Sequence, residues 1–279
     1  MNGERLESLA WQDDVITVEG VRFRVYEEFG AAPSLDAADF WLFKGRPLLE
    51  DYLAVFRRRP DLDVRNLFEL GIWESGSVAF WTLLLQPERH VAIDLAPPRE
   101  PAEFRRFLRR HNLTGRVSSH WLLNQADDAR LSALVEREFS GPLDLVIDDA
   151  SHCLGPTSAS LVTLLPRLRE GSIYIVEDWG WSLSPEVSAA FPAGEPGLLP
   201  LLNRLLPLLH LQPGLLRNID VLPTLFVLER GPMPAAEARE LLVSMLEPHF
   251  EASPSLTARV VKASPLWRVG RAIKRRLKA

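Results

Sequence analysis

The chain has one cysteine in 279 residues, Cys153, which excludes an internal disulfide framework and fits a reducing, cytoplasmic setting. It lacks any unbroken apolar run near the ~20 residues that span a bilayer. The richest stretch, 198–211, is interrupted by Pro200, Arg204 and Pro207. The opening MNGERLESLAWQDD is polar and acidic, so no secretory signal is expected there. A formal net charge of −5 gives no general pull toward nucleic acid. Neither GxGxxG nor GxxxxGK[ST] occurs, so the usual dinucleotide and ATP loops are absent.

What is present is a real core, with 47% hydrophobic residues and eight tryptophans. Length allows one large α/β domain with extensions, or two small domains. Two short apolar runs end in acids: LDLVIDDASH (143–152) and GSIYIVEDW (171–179). Runs too short for an ordinary helix that stop at a charged edge read as buried parallel strands opening into a cleft. Two of them side by side bring Asp149, His152, Glu177 and Asp178 to one rim. Crowded carboxylates need a cation or shared protons, and hard oxygens in that number suit Mg²⁺ or another divalent ion. Asp148, next to Asp149, points to the other side of its strand and is expected to support the site by hydrogen bonding.

Upstream, VRNLFEL feeds GIWESGS (71–77) and a helical segment over 78–85. Strand, glycine turn and helix let backbone approach a nucleotide-like ligand. HVAIDL ends at Asp94, a little over ~20 residues past Gly71, where an acid can grip a ribose hydroxyl pair. Asp127 and Asp128, after the third strand, either contact an adenine edge or cap the next helix.

These blocks carry a resemblance. FELGIWESGS resembles the first motif of class I S-adenosylmethionine-dependent methyltransferases. DDASH and VEDW resemble the acidic segments after the fourth and fifth strands in the macrolide-sugar and rhamnosyl O-methyltransferase (cephalosporin hydroxylase-like) branch. The resemblance covers roughly residues 40–230. It implies that Asp149, Glu177 and Asp178 hold Mg²⁺, that His152 is the general base, and that Glu69, Gly71, Ser77 and Asp94 surround the methyl donor, with Asp127 assigned to the same group. Ser75 and Ala150 stand where the branch often has glycine. The fold implied is α/β and doubly wound: a mostly parallel seven-stranded sheet with an antiparallel last strand, the Rossmann-like methyltransferase fold. The activity implied is O-methylation of a sugar or glycosylated natural product. Methylation of a phenolic, catechol or amine acceptor, and a binding-only protein, are the alternatives.

Around this domain, expected over 40–231, three segments differ. ITVEGVRFRVYEEF, within 1–39, reads as a hairpin turning at Glu19–Gly20. The leucine- and proline-rich 182–216 reads as a cap or lid. Within 232–279, residues 265–278 (PLWRVGRAIKRRLK) pair a basic face with Leu266, Trp267, Val269, Ile273 and Leu277 at near-helical spacing. Such a helix suits the anionic inner face of a membrane as a peripheral contact. Its alternative uses are a solvated end or docking on an acidic patch of a partner subunit in a homo-oligomer.

Overall fold

The computed structural model describes residues 6, 9–26, 39–184 and 195–246. Near the start, β1 (Ala10–Gln12), β2 (Val15–Val18) and β3 (Val21–Val25) form an antiparallel meander. The hairpin turn falls at Glu19–Gly20, with both φ angles positive (47° and 79°), as a tight two-residue connection requires. β4 (Phe40–Leu42) then joins β3 in parallel, completing a four-stranded sheet. The expected boundary at residue 39 therefore cuts through this sheet. The amphipathic pattern of 40–59 reads in sequence as one helix leading into the first core strand, but Phe40–Leu42 is spent on β4. Gly45 and the proline at 47 confine α1 to Arg46–Arg57, because proline fits only a first helical turn.

Strand and helix then alternate: β5 (Asn66–Leu70), α2 (Gly76–Leu85), β6 (Arg89–Ile93), α3 (Ala102–Arg110), β7 (Val117–His120) and α4 (Asp128–Glu138). β8 (Leu143–Asp148), α5 (Leu154–Leu164) and β9 (Leu168–Glu177) follow. After α6 (Leu199–Leu205) and α7 (Leu208–Leu211) come β10 (Leu216–Val221), β11 (Leu225–Arg230) and α8 (Ala235–Leu246). The main sheet runs β10-β11-β9-β8-β5-β6-β7. Its strands are parallel from β9 through β7, and β11 is antiparallel to both β9 and β10. This is the doubly wound, seven-stranded arrangement expected.

Side chains alternate across the sheet with period two, so each central strand feeds two cores. Leu67, Leu145, Ile147, Ile173, Ile175 and Val227 face α1, α2, α3 and the small sheet. Phe68, Leu70, Val146, Tyr174, Val176 and Phe226 face α4, α5, α6 and α8. The same parity, carried to the strand ends, sends Glu69 and Glu177 toward the first core and Asp148 toward the second. The described part of 182–216 is built into that second core rather than free over the rim. Leu198, Leu201, Leu202, Leu205 and Leu208 are buried there, because an amphipathic leucine-rich segment gains more by covering the sheet than by facing water. Among the described residues, no helix is long and apolar enough to cross a membrane. The basic tail, 265–278, lies outside them.

Candidate active site

The loop from β5 into α2 is knitted to the loop after β8 by backbone contact. A Cβ on Gly71 (φ 97°) would lie 2.1 Å from the Asp149 carbonyl oxygen, so only glycine lets the two chains meet. Asp149 N donates to Leu70 O at 2.9 Å at the same place. Asp94, expected to grip a ribose hydroxyl pair, lies against this loop with its carboxylate engaged by backbone amides. Oδ2 accepts from Ile72 N and Trp73 N at 3.0 Å each, and Oδ1 from Ala96 N at 2.7 Å. Trp73 and Ser75 hold left-handed backbone (φ 50° and 66°) between them. Ser77 lies in the first turn of α2, partly buried. Glu69 is fully buried beneath the loop, with Oε2 3.1 Å from His90 Nε2, while His90 Nδ1 meets Thr82 Oγ1 at 2.8 Å. Buried polar atoms without a hydrogen-bond partner gather here: Glu69 Oε1, Trp73 Nε1 and Ser75 Oγ. Buried polar atoms are nearly always paired, so this cluster is what a loop shaped for a polar ligand presents. Asp127 caps α4, accepting from Arg130 N at 3.1 Å.

One strand over, the ends of β8 and β9 bring Asp149, His152 and Asp178 together. One ligand atom from each lies within 4.8 Å of the others. His152 and Asp178 both adopt left-handed backbone (φ 54° and 55°), a conformation that non-glycine residues keep only where surroundings enforce it. For Asp178 the enforcement comes from the β10–β11 turn. Its N–H donates to Thr224 O at 2.7 Å, and Asp51 Oδ2 holds Thr224 through N (3.0 Å) and Oγ1 (2.7 Å). Burial, then the Asp149 and Glu177 carboxylates, push the Asp178 carboxyl well above its ordinary range. That is like-charge crowding of the kind a cation relieves.

His152 is 5% exposed and packs against the Trp181 ring, centroids 4.7 Å apart. Its Nε2 is 3.6 Å from Asp149 Oδ1 and has no hydrogen-bond partner. Its hydrogen bond to the Glu177 backbone therefore falls to Nδ1, which leaves the Nε2 lone pair facing the cluster. Burial holds the imidazole pKa below its usual value, partly offset by Asp149.

Glu177, expected among the metal ligands, is turned elsewhere. As the last residue of β9 it follows that strand's parity into the first core, where it is 1% exposed. Lys44 Nζ donates to its Oε1 at 2.6 Å and Tyr52 Oη at 2.5 Å. Lys44 also donates to Asp149 Oδ2 at 2.8 Å. Burial disfavours the ammonium, but Asp149, Glu177 and Glu69 outweigh it and hold the Lys44 pKa above its ordinary value. Burial and Asp149 push the Glu177 carboxyl up, and Lys44 and Tyr52 pull it back. Neither Lys44 nor Tyr52 was a sequence candidate. The one available signal was a lysine set in the apolar stretch FWLFKG. Asp148 faces the opposite core, accepting from Ser160 Oγ and Tyr174 Oη at 2.8 Å each and from Gln125 Nε2 at 3.2 Å. Gln125 Oε1 in turn accepts from Ser151 N at 3.0 Å, so this pair orients the turn carrying His152.

No family model matches the chain. Over 208 residues, 66% of its length, it is 32% identical to the 8-demethyl-8-(2-methoxy-alpha-L-rhamnosyl)-tetracenomycin-C 3'-O-methyltransferase of Streptomyces olivaceus. Over 87 residues, 31% of its length, it is 37% identical to the 8-demethyl-8-alpha-L-rhamnosyl tetracenomycin-C 2'-O-methyltransferase of the same organism. The chain is thus similar in sequence to these two O-methyltransferases over part of their length. It spans 48% of the first relative and 22% of the second, so it corresponds to half or less of these proteins. The structure of the MycE methyltransferase from the mycinamycin biosynthetic pathway, in complex with Mg, SAH and mycinamycin VI, superimposes with a TM-score of 0.51 at 22% identity. The overlap covers 68% of this chain and 50% of that one. The shared architecture is the Rossmann-like methyltransferase fold.

Proposed function

We propose that the chain transfers a methyl group from S-adenosylmethionine to a hydroxyl of a sugar or glycosylated natural product, assisted by a divalent cation. The observation that carries this reading is the Asp149–His152–Asp178 cluster at the strand ends, next to a glycine loop with unpartnered buried polar atoms. The relatives' acceptors, rhamnosylated tetracenomycins, give the substrate class its direction. Two carboxylates fit a divalent ion whose other positions hold water or acceptor oxygens. Asp149, through the oxygen that Lys44 leaves open, and Asp178 are the residues that would hold it. When bound, such an ion lowers a hydroxyl's pKa and fixes its position. The donor, when bound, presents a methyl group on a cationic sulfur.

The protein's own part is then proton transfer and alignment. The acceptor hydroxyl gives its proton to His152 Nε2 as its oxygen takes the methyl group, and the donor leaves as a neutral thioether. The Nδ1 hydrogen bond and the Trp181 ring keep that nitrogen aimed. Asp94 keeps the glycine loop in the shape that receives the donor, with Gly71 and Ser77 beside it and Glu69 beneath. The strained backbone at His152 and Asp178 supports the same assignment, since such strain gathers at working sites.

The test is turnover of S-adenosylmethionine with rhamnosylated or macrolide acceptors in the presence of Mg²⁺. His152→Ala is expected to cut the rate by roughly 10²–10⁴-fold, the usual share of a general base, with donor binding kept. Full activity in excess chelator refutes the metal. One observation favours a second reading, that His152 is itself a third ligand, because its nitrogen lies within the same 4.8 Å cluster. Mn²⁺ binding separates the two: it survives in His152→Ala if the residue is the base and collapses if it is a ligand.

A further inference from the structure

A buried cation sits behind this site without touching its open face. Lys44 is 1% exposed, and its ammonium is held between Asp149 Oδ2 at 2.8 Å and Glu177 Oε1 at 2.6 Å. Tyr52 fills the remaining side, its hydroxyl on the same Glu177 oxygen and its ring 6.0 Å from the ammonium. A buried charge is costly, and an apolar residue of similar length would pack this position without that cost. What an apolar residue does not do is engage one oxygen of Asp149 and place a positive charge between it and the buried Glu177 carboxylate. We infer that Lys44 is a positioning residue that sets the charge of the ion site, acting through Asp149 and Glu177. This rests on the metal-binding reading above.

The charges show why this matters. Asp149, Glu177 and Asp178 together carry three negative charges when ionised. Lys44 returns one positive charge, and the remaining two match one divalent cation. Without the ammonium, three carboxylates lie around the ion site with no internal counter-charge. The site then favours tighter divalent binding and gains most for a trivalent ion. Without Glu177 but with Lys44 retained, the ammonium bears on Asp149 alone and the site is under-charged. Removing both restores the balance.

The experiment is titration of the full chain with Mn²⁺, followed by electron paramagnetic resonance, and with La³⁺ by calorimetry, both without donor or acceptor. Lys44→Met is expected to bind Mn²⁺ about tenfold or more tighter, with a larger gain for La³⁺, since one unit charge a few ångströms away is removed. Lys44→Arg should keep the wild-type affinity. Glu177→Gln should bind Mn²⁺ more weakly. The double variant Lys44→Met/Glu177→Gln should return near the wild type, and it keeps the question open to test if Lys44→Met alone does not fold. Mn²⁺ binding by the wild type with unchanged or weaker binding by Lys44→Met, or a double variant no nearer the wild type than Glu177→Gln, overturns the role of Lys44 alone. No binding by the wild type overturns the metal reading, and this inference with it.

Discussion

Under the proposed function, the Asp94 carboxylate serves both loop and ligand. Its oxygens already accept three backbone N–H bonds, from Ile72, Trp73 and Ala96, yet a carboxylate has about four lone-pair sites. One remains for a ribose hydroxyl. Asp94→Ala is therefore expected to cost the ligand-free protein about 1–3 kcal/mol, from amides left without an acceptor, besides weakening donor binding. Denaturation without ligand and SAH calorimetry on the same variant check this; unchanged ligand-free stability would show that the carboxylate serves the ligand alone. Asp148 makes a different point. Burial pushes its pKa from 3.8 up to about 6, against the pull of Ser160, Tyr174 and Gln125, none of which is cationic. Its folded pKa lies above the unfolded value, so its contribution favours folding at low pH and is lost as pH rises from about 4 through about 6. Two pKa units correspond to about 3 kcal/mol at most. Urea denaturation in chelator should show wild type losing stability relative to Asp148→Asn over that range, by on the order of 1–3 kcal/mol. A pH-independent difference would mean that Asp148 does not titrate there.

At the level of elements, the site depends on how β4 is seated. A Cβ on Gly76, at the start of α2, would lie 1.7 Å from the Trp41 carbonyl oxygen, so the helix start and β4 touch backbone to backbone. Lys44 follows two residues after that strand. Gly76→Ala should push β4 off α2, costing about 1–3 kcal/mol as an overpacking change. It should also disturb Mn²⁺ binding through Lys44. Gly115→Ala, where nothing lies within 4 Å, is the control and should change neither. Shifts of equal size in both variants would mean the β4 contact is slack. The strands that end in acids were legible in the sequence because each is a short apolar run closed by charge, and their order follows from alternation with helices. The placement of Asp148 away from Asp149 was legible for the same reason, since period two forces it. Applied to Glu177, that rule would have turned it inward. The acidic pair was instead read as a unit, although only Asp178 lies past the strand end. Lys44 was beyond reach for a different reason. Its partners are 105 and 133 residues away, and nothing local in FWLFKG says which core a lone lysine enters.

Charge divides the whole chain unevenly. After Glu251 there are eight basic residues and no acid, which leaves 24 basic against 37 acidic residues in the rest. Residues 265–278 add apolar side chains to that charge at helical spacing, and they lie outside the described residues. An acidic body is repelled by an anionic bilayer, so contact is expected at this stretch. Each of its basic residues contributes about 1 kcal/mol near such a surface, and the apolar side chains add burial. Co-sedimentation with vesicles containing anionic lipid is expected to retain the full chain at low salt and release it as ionic strength rises, because the Debye length shortens to about 8 Å at 0.15 M. Neutral vesicles should retain little, and a chain ending at Ser264 should lose the binding while keeping its thermal stability. Equal binding to neutral and anionic vesicles, or undiminished binding by the shortened chain, would assign the basic stretch another role. A concentration-dependent mass that falls on the same truncation would point to docking between copies of the chain.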